Sequence, residues 1–215
     1  MVYSEWGSAM VSPDEFLLHP AASERSELVR GRIRVMTPAS GKHGLVSGNI
    51  FGLLRSHVRL HRLGICFADS TGYILPKLPN TVRAPDASFV RTDRLPAGGV
   101  SDGFLPLAPD LAIEVLSPSE SVTSVSEKLD DYFAAGTRAV WVIDPDARSV
   151  TVHEPGAAPV ATGNDDTLRG GSVLPAFACD VAELFEGLAP PAGEVASDEA
   201  VEARRQVDCD ARGSS

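Results

Sequence analysis

Two carboxylates of the sequence lie inside apolar runs that are typical of β-strands. Asp86 lies in residues 83–90, and Glu114 lies in residues 109–117. An ionised carboxylate in a buried strand is costly unless it pairs with a cation or binds a metal ion. These two acids are therefore the first candidates for chemistry.

The alternation of side chains along a strand decides which acids can act together. Glu114 points away from the face that carries the larger apolar side chains of its strand. Asp110 enters the same strand, but it lies about 13 Å from Glu114 along it. Asp86 can lie beside Glu114 if their strands pair, because neighbouring strands are only about 5 Å apart. We therefore predict Asp86 and Glu114 as a pair of metal ligands and rank Asp110 second.

Two carboxylates and water suit Mg²⁺ or Mn²⁺, which prefer oxygen ligands. Such an ion polarises a phosphodiester and lowers the pKa of an attacking water. A nearby cation would stabilise the charged transition state, and Lys128 is the candidate because it flanks the buried stripe of a helix. Simpler interpretations stay open: Asp86 as a turn cap, Glu114 as the partner of a structural arginine, and Lys128 as a surface lysine.

The elements that would position these residues are helices and strands of one sheet. A short helix is predicted to begin after Ser12, with Pro13 as its first residue. Residues 27–36 are expected to form a strand, or a hairpin that turns near Gly31. Helices are predicted at residues 43–62, 121–135 and 181–185, and strands at residues 65–75, 82–90, 111–116, 139–143 and 149–153. This order favours an α/β (α+β) fold, with a mixed central sheet flanked by helices.

The helix predicted at residues 43–62 carries further polar residues. His43 opens it on the core side, and we place this histidine second to the acids as a site residue. His57 and His61 have the spacing of a helical zinc pair, but no third ligand is evident, so they are expected at the edge of the core. Three arginines, at positions 55, 59 and 62, fall on the opposite side, either as phosphate contacts or as a solvated helix face.

Composition limits the classes of protein that this chain can form. It has 215 residues, 29 of them acidic and 19 basic, for a net charge of −10. No apolar stretch reaches the roughly 20 residues of a membrane helix, and the three cysteines form no CxxC pair. We expect a cytoplasmic protein with free thiols, a single domain over residues 1–187 with an N-terminal lead-in, and an acidic, disordered tail over residues 188–215.

The net charge argues at first against a nucleic-acid binder, which normally has a basic surface. The charge is uneven, however. Residues 1–62 carry 8 basic and 5 acidic side chains, whereas residues 122–187 carry 4 and 11. The acidity therefore does not exclude DNA, and it predicts weak, salt-sensitive binding through the N-terminal arginines.

Several segments resemble the Uma-two family, bacterial proteins described as restriction endonucleases within the PD-(D/E)XK nuclease superfamily. The resemblance extends from about residue 12 to residue 187 in matching order, and residues 109–145 are its most specific part. The segments that carry it are Ser26–Ile33, Arg83–Asp86, Ala108–Ser119, Glu127–Gly136 and Ala139–Pro145. It implies an α-β-β-β-α-β restriction-endonuclease-like core.

The resemblance also assigns site residues. Asp86 matches the motif aspartate, Glu114 matches the acidic residue of the (D/E)XK motif, and Glu27 matches an upstream acidic position near the site. The usual motif lysine would lie two residues after the acid, where this chain has Leu116. The Uma-two pattern instead has a lysine in the following helix, and Lys128 matches it.

These assignments imply a metal-dependent endonuclease that hydrolyses DNA phosphodiester bonds. Asp86 and Glu114 would hold Mg²⁺ or Mn²⁺, Lys128 would assist the attacking water or the developing charge, and Glu27 would orient water or a second ion. DNA is the expected partner, no membrane association is expected, and a homodimer would allow both strands to be cut. The alternative, motivated by Leu116, is a non-catalytic nuclease-fold protein that binds nucleic acid or a protein partner. A weaker third option is a hydrolase of small phosphate esters.

Overall fold

The computed structural model describes residues 4–5, 10–118 and 120–189. Three α-helices are present in this part of the chain: α1 (Pro13–Leu17), α2 (Gly41–His61) and α3 (Val122–Ala135). Short 3-10 helices are formed by Pro20–Ser23, Thr92–Arg94 and Val181–Phe185. The strands are β1 (Ser4–Glu5), β2 (Ser26–Val29), β3 (Arg32–Val35), β4 (Gly64–Ala68), β5 (Tyr73–Ile74), β6 (Val82–Arg83), β7 (Ala87–Arg91), β8 (Leu111–Val115), β9 (Ala139–Asp144), β10 (Ser149–His153), β11 (Val160–Thr162), β12 (Thr167–Arg169) and β13 (Ala178–Asp180).

The central sheet has six strands in the order β11-β10-β9-β8-β7-β4. Its neighbours are antiparallel except β8 and β9, which are parallel. A parallel pair needs a crossover connection, and α3 supplies it. The elements α2, β4, β7, β8, α3 and β9 follow the expected α-β-β-β-α-β order, so the mixed α/β fold with a restriction-endonuclease-like core is confirmed.

The helices cover opposite faces of this sheet. Apolar side chains of α2, including Val46 and Ile50, pack with Leu111, Ile113 and Val115 of β8 in one buried cluster. On the other face, α3 packs on the sheet through a second cluster that contains Tyr132, Ala112 and Val140. Strand β8 is therefore buried on both faces.

A second, five-stranded antiparallel sheet has the order β1-β3-β2-β6-β5. The predicted hairpin is confirmed: β2 and β3 are joined by Arg30 and Gly31, which have φ values of 49° and 77°. A two-residue turn with both φ values positive matches the right-handed twist of the strands. After α2 the chain adds β4 to the central sheet, comes back to this second sheet for β5 and β6, and returns to the central sheet at β7.

Two of the predicted strands were wrong in extent. Residues 65–75 are divided, because the chain turns at residues 69–72 and β5 joins the second sheet rather than continuing β4. Residues 82–90 are divided between β6 and β7, which belong to different sheets. The break contains Pro85, whose nitrogen has no hydrogen to donate to a strand ladder.

The remaining predicted elements lie within a few residues of their expected ends. Ser12 caps α1 and Pro13 opens it, and α3 ends at Ala135 with Gly136 as its C-cap. Helix α2 begins two residues earlier than expected, after its cap Ser40. The segment at 181–185 is a 3-10 helix instead of an α-helix. Strands β1, β11, β12 and β13 were not predicted.

The single-domain boundary at residue 187 stays a prediction, and the tail lies outside the described residues apart from 188 and 189. Cys66 and Cys179 are free thiols. Within the described residues, every helix is too short or too polar to cross a bilayer.

Candidate active site

The pairing of β7 with β8 places Asp86 beside Glu114. In this antiparallel pair Ala87 lies opposite Ile113, and the backbone N–H of Asp86 donates to the Ile113 carbonyl at 2.9 Å. The Asp86 side chain then accepts a hydrogen bond of 2.7 Å from the backbone N–H of Val115 at Oδ2. Both acids are buried, with 4% and 3% of their surface exposed, so the adjacency expected from strand geometry is present.

Helix α3 brings a cation and a hydroxyl to Glu114. Lys128 Nζ lies 2.5 Å from Glu114 Oε2, and the Tyr132 hydroxyl donates to Glu114 Oε1 at 2.8 Å. Lys128 is buried, with 6% of its surface exposed, so the surface-lysine alternative was wrong. Leu116, in the usual lysine position, packs at the edge of the apolar cluster on this face.

Burial is the largest single influence on the pKa of Glu114 and on the pKa of Lys128. It raises the pKa of Glu114 to about 7; the negative charges of Asp86 and Glu27 act in the same direction, and Lys128 opposes them. Burial alone would lower the pKa of Lys128, but the surrounding carboxylates, Glu114 first, raise it above its ordinary value. Lys128 therefore carries a stable positive charge at the site.

Asp86 is held by two cationic or polar partners from earlier in the chain. Arg25 Nη2 lies 2.5 Å from Asp86 Oδ1, and His43 Nε2 lies 3.2 Å from Asp86 Oδ2. Burial alone would raise the pKa of Asp86, but a hydrogen bond from His43 and the charges of His43, Lys128 and Arg25 lower it below its usual value. His43, ranked second from the sequence, thus contacts one of the predicted ligands.

Glu120 is a site residue that the sequence did not reveal. It lies in the loop between β8 and α3, its side chain is only 4% exposed, and its Oε1 is 3.1 Å from Lys128 Nζ. That oxygen accepts no hydrogen bond among the described residues. An acid in a Ser- and Pro-containing loop is ordinarily solvated, and no periodicity marked this one as buried. Lys128 therefore lies between two carboxylates.

Glu27 reaches the site through a buried ion network. Arg83 Nη1 lies 2.8 Å from Glu27 Oε2, and Arg83 Nε donates to Asp131 Oδ2 at 2.9 Å. Glu27 Oε1 accepts a 3.1 Å hydrogen bond from the backbone N–H of Ala84. Although burial would raise the pKa of Glu27, the charges of Arg83 and Lys128 and these hydrogen bonds lower it. The network links the second sheet to α3 one turn beyond Lys128.

Two other candidates lie apart from this group. Asp110, at the opposite end of β8, pairs with Arg94 Nη1 at 3.1 Å and accepts the Arg91 N–H at 2.9 Å. His57 Nε2 lies 3.0 Å from the Pro175 carbonyl oxygen. Neither is brought to Asp86 and Glu114.

The carboxylates of Asp86 and Glu114 fit a magnesium ion whose other ligands are water and substrate phosphates. Among the described residues, no three His, Cys, Asp or Glu side chains are arranged as a metal cage. Mg²⁺, however, is usually bound by one or two carboxylates together with water and substrate phosphates. Asp86 and Glu114 supply two adjacent carboxylates, and Asp86 lines a cavity of about 240 Å³ between α2 and β4. The pair fits that mode of binding rather than an all-protein cage.

Comparisons with known proteins agree on the kind of molecule. The model of the Uma2 family, described as "Putative restriction endonuclease", matches residues 13–182. A solved structure, titled as a putative nuclease belonging to DUF820 from Anabaena variabilis, is 26% identical in sequence with a TM-score of 0.71. The match covers 81% of this chain and 97% of that chain. No curated protein matches the chain.

Proposed function

Because the chain belongs to the Uma2 family of restriction-endonuclease-like proteins, we propose that it is a metal-dependent endonuclease that hydrolyses DNA phosphodiester bonds. The observation that carries the proposal is the buried group formed by Asp86, Glu114 and Lys128. An acid at the start of β7, an acid in β8 and a lysine that pairs with the second acid have no evident structural purpose, since a buried ion pair is weak evidence for stability.

Asp86 and Glu114 would hold Mg²⁺ or Mn²⁺. The ion, when bound, supplies Lewis acidity toward the phosphate and lowers the pKa of a coordinated water. Arg25 and His43 keep Asp86 ionised and oriented, and Tyr132 orients Glu114.

Lys128 supplies the positive charge that the reaction needs. Its ammonium is fixed beside Glu114 and Glu120, where it can stabilise negative charge that develops on a phosphate. It does so from α3 rather than from the strand position of Leu116. Glu27 is proposed to orient water or a second ion, and its charge also raises the pKa of both Glu114 and Lys128.

DNA as substrate makes a second copy of the chain useful. One site cuts one strand, so we propose a homodimer for cleavage of both strands of a duplex. A cytoplasmic location, where DNA and Mg²⁺ are both present, is part of the same proposal.

Conversion of supercoiled plasmid to nicked and linear forms tests the activity. Purified protein with Mg²⁺ or Mn²⁺ should cleave, and chelation should stop the reaction. Asp86→Asn and Glu114→Gln should abolish cleavage, whereas Glu154→Gln, at an exposed glutamate away from the site, should not. Absence of cleavage with either metal, or unchanged cleavage by both site variants, would refute the proposal.

A non-catalytic nucleic-acid-binding or protein-binding role is the second candidate. It is favoured by one observation: the carboxylate oxygens of Asp86 and Glu114 already have Arg25 and Lys128 as partners. Calorimetric titration with Mg²⁺ separates the two functions. Binding that disappears in Asp86→Asn supports the endonuclease, and the absence of binding in the unmodified protein supports the alternative.

A further inference from the structure

One face of α2 is open to solvent and has an unusual composition. Its residues follow one another at intervals of three or four, which places them on a single side of a helix. This face lies opposite the buried stripe of Val46, Ile50 and Leu54. All of its members are exposed: Gly41, Gly44, Gly48, Gly52, Arg55, Arg59 and Arg62.

The four glycines have no packing explanation in the part of the chain that the structure describes. A Cβ atom added at any of them would meet no neighbouring atom within 4 Å. Glycine inside a helix is nevertheless destabilising relative to alanine, because it has more backbone freedom to lose on folding. These positions therefore weaken the helix without any contact that offsets the effect.

The arginines also act against stability. Arg62 ends the helix in the left-handed conformation, with φ 54°, where glycine is the ordinary residue. Like charges at three- or four-residue spacing repel, although the negative end of the helix dipole offsets part of that repulsion. In the described residues Arg55, Arg59 and Arg62 have no acidic partner within ion-pair distance, unlike the arginines around the candidate active site.

Two cavities lie along α2 and β4, one at these arginines and one at Asp86. The three arginines line a cavity of about 280 Å³ together with Ile65 and Cys66 of β4. Farther along the same helix and strand, the cavity that reaches Asp86 is lined by Gly44, Gly48 and Ala68. Sixteen residues separate His43 from Arg59, which corresponds to about 24 Å along the helix axis.

We propose that this face of α2 binds the sugar-phosphate backbone of double-stranded DNA. Arg55, Arg59 and Arg62 would contact phosphates, and the glycines would let the backbone approach the helix closely on its way to Asp86. The inference rests on the proposed function and adds the length of DNA that the protein would contact. At 3.4 Å for each base pair along a strand, 24 Å places the arginine contacts roughly seven base pairs from the bond that is cut.

Binding without cleavage gives the direct test. Fluorescence anisotropy of a labelled 30-base-pair duplex, measured in chelator, compares the unmodified protein with the triple variant Arg55→Gln, Arg59→Gln, Arg62→Gln. We expect the Kd to rise at least about tenfold at ~0.1 M salt and the slope of log Kd against log salt to fall by about 2.7, because each lost phosphate contact contributes about 0.9.

A second triple variant removes the same charge elsewhere and serves as the control. Arg138→Gln, Arg148→Gln, Arg169→Gln changes three arginines that lie outside α2, and should leave Kd and slope nearly unchanged. Equal weakening by both triple variants would show a general charge effect and would overturn the proposal, as would no weakening by either.

Stability and affinity should move in opposite directions in Arg62→Gly. Relief of the left-handed conformation should raise Tm, while loss of the phosphate contact should raise the Kd about threefold or more. A variant that is more stable yet binds less tightly cannot be explained by misfolding. Unchanged affinity in Arg62→Gly would count against this residue as a contact.

Cleavage assays with short duplexes separate this inference from the proposed function. The KM of the unmodified protein should rise when fewer than roughly seven base pairs flank the cut on the arginine side, while kcat stays the same. The α2 triple variant should not respond to that length. Cleavage that ignores both the length and the arginines overturns the binding surface alone, whereas binding through the arginines without any cleavage overturns the endonuclease alone.

Discussion

The two faces of strand β8 are both buried, but one carries apolar side chains and the other carries a charged group. Toward α2, Leu111, Ile113 and Val115 pack in an apolar cluster. Toward α3, Glu114 lies against Lys128 and Tyr132. Apolar burial contributes about 25 cal/mol for each Å² removed from water. A buried ion pair contributes little or nothing relative to apolar residues of the same size.

This difference separates the residues that stabilise the fold from the residues that are candidates for chemistry. The apolar face explains why the sheet forms, and the charged face adds nothing comparable to stability. A group of charges retained at such a position is a candidate for chemistry, because perturbed and buried ionisable groups concentrate at functional sites. Substitutions on the apolar face should therefore reduce stability more than cleavage. Substitutions that neutralise the charged face should reduce cleavage more than stability.

The largest expected effect is on cleavage, when the charged group is replaced by neutral side chains of similar size. The variant Glu114→Gln, Glu120→Gln, Lys128→Met should lower the cleavage rate at least about 10⁴-fold, or ~5.5 kcal/mol in activation free energy. Its free energy of unfolding should stay the same or increase, because the buried charges disappear together. Urea denaturation and a plasmid assay measure both. A large loss of stability would mean that the charged face is structural.

Removal of the cation alone should be the most destabilising single change. Lys128→Met leaves Glu114 and Glu120 buried without their shared partner, which is expected to reduce the free energy of unfolding by about 3–5 kcal/mol. Lys42→Met is the matched control, because Lys42 forms an exposed ion pair with Asp146 and should cost less than about 1 kcal/mol. Similar losses in both variants would contradict the role of Lys128.

A cavity on the apolar face should change stability without changing chemistry. Ile113→Ala is expected to reduce the free energy of unfolding by about 3 kcal/mol, and Ile113→Val by about 1 kcal/mol. The cleavage rate per folded molecule should stay within about a factor of two. If Ile113→Ala reduced cleavage as strongly as the charged-face variant does, the proposed separation between the faces would fail.

The smallest effect concerns acid stability and the ion network behind the charged face. The folded state lowers the pKa of Glu27, so its stabilising contribution is fully present above the unfolded-state value and is lost as the pH falls through the folded value. The free energy of unfolding should therefore decline more steeply below about pH 4.5 in the unmodified protein than in Glu27→Gln. Parallel pH profiles would show that Glu27 carries no such linkage.

Sequence reasoning recovered the parts of the molecule that local patterns encode. The hairpin at Gly31, the cap at Ser12, and the adjacency of Asp86 and Glu114 follow from turn chemistry, helix ends and strand spacing. The sequence also showed that Leu116 replaces the usual motif lysine. The structure brings Lys128 to Glu114 from the helix that the family resemblance indicated.

The remaining features depend on contacts between distant parts of the chain. Arg83 joins Glu27 and Asp131, which are 56 and 48 residues away, and no periodic pattern signals such a network. Glu120 belongs to a loop whose path is set by β8 and α3 together. The division of residues 82–90 between two sheets was missed because both halves are β-rich, although Pro85 between them was a usable signal.

The ion pair between Arg25 and Asp86 spans 61 residues of sequence, and it has a consequence for how the protein is made. Contacts of such long range form late and cooperatively, since a large loop must close before they contribute. Lys128 lies later still, in the helix that follows β8. A chain emerging from the ribosome therefore has no complete candidate active site until α3 has folded onto the sheet. Under the proposed endonuclease function, a partly synthesised or truncated copy would leave the DNA around it intact.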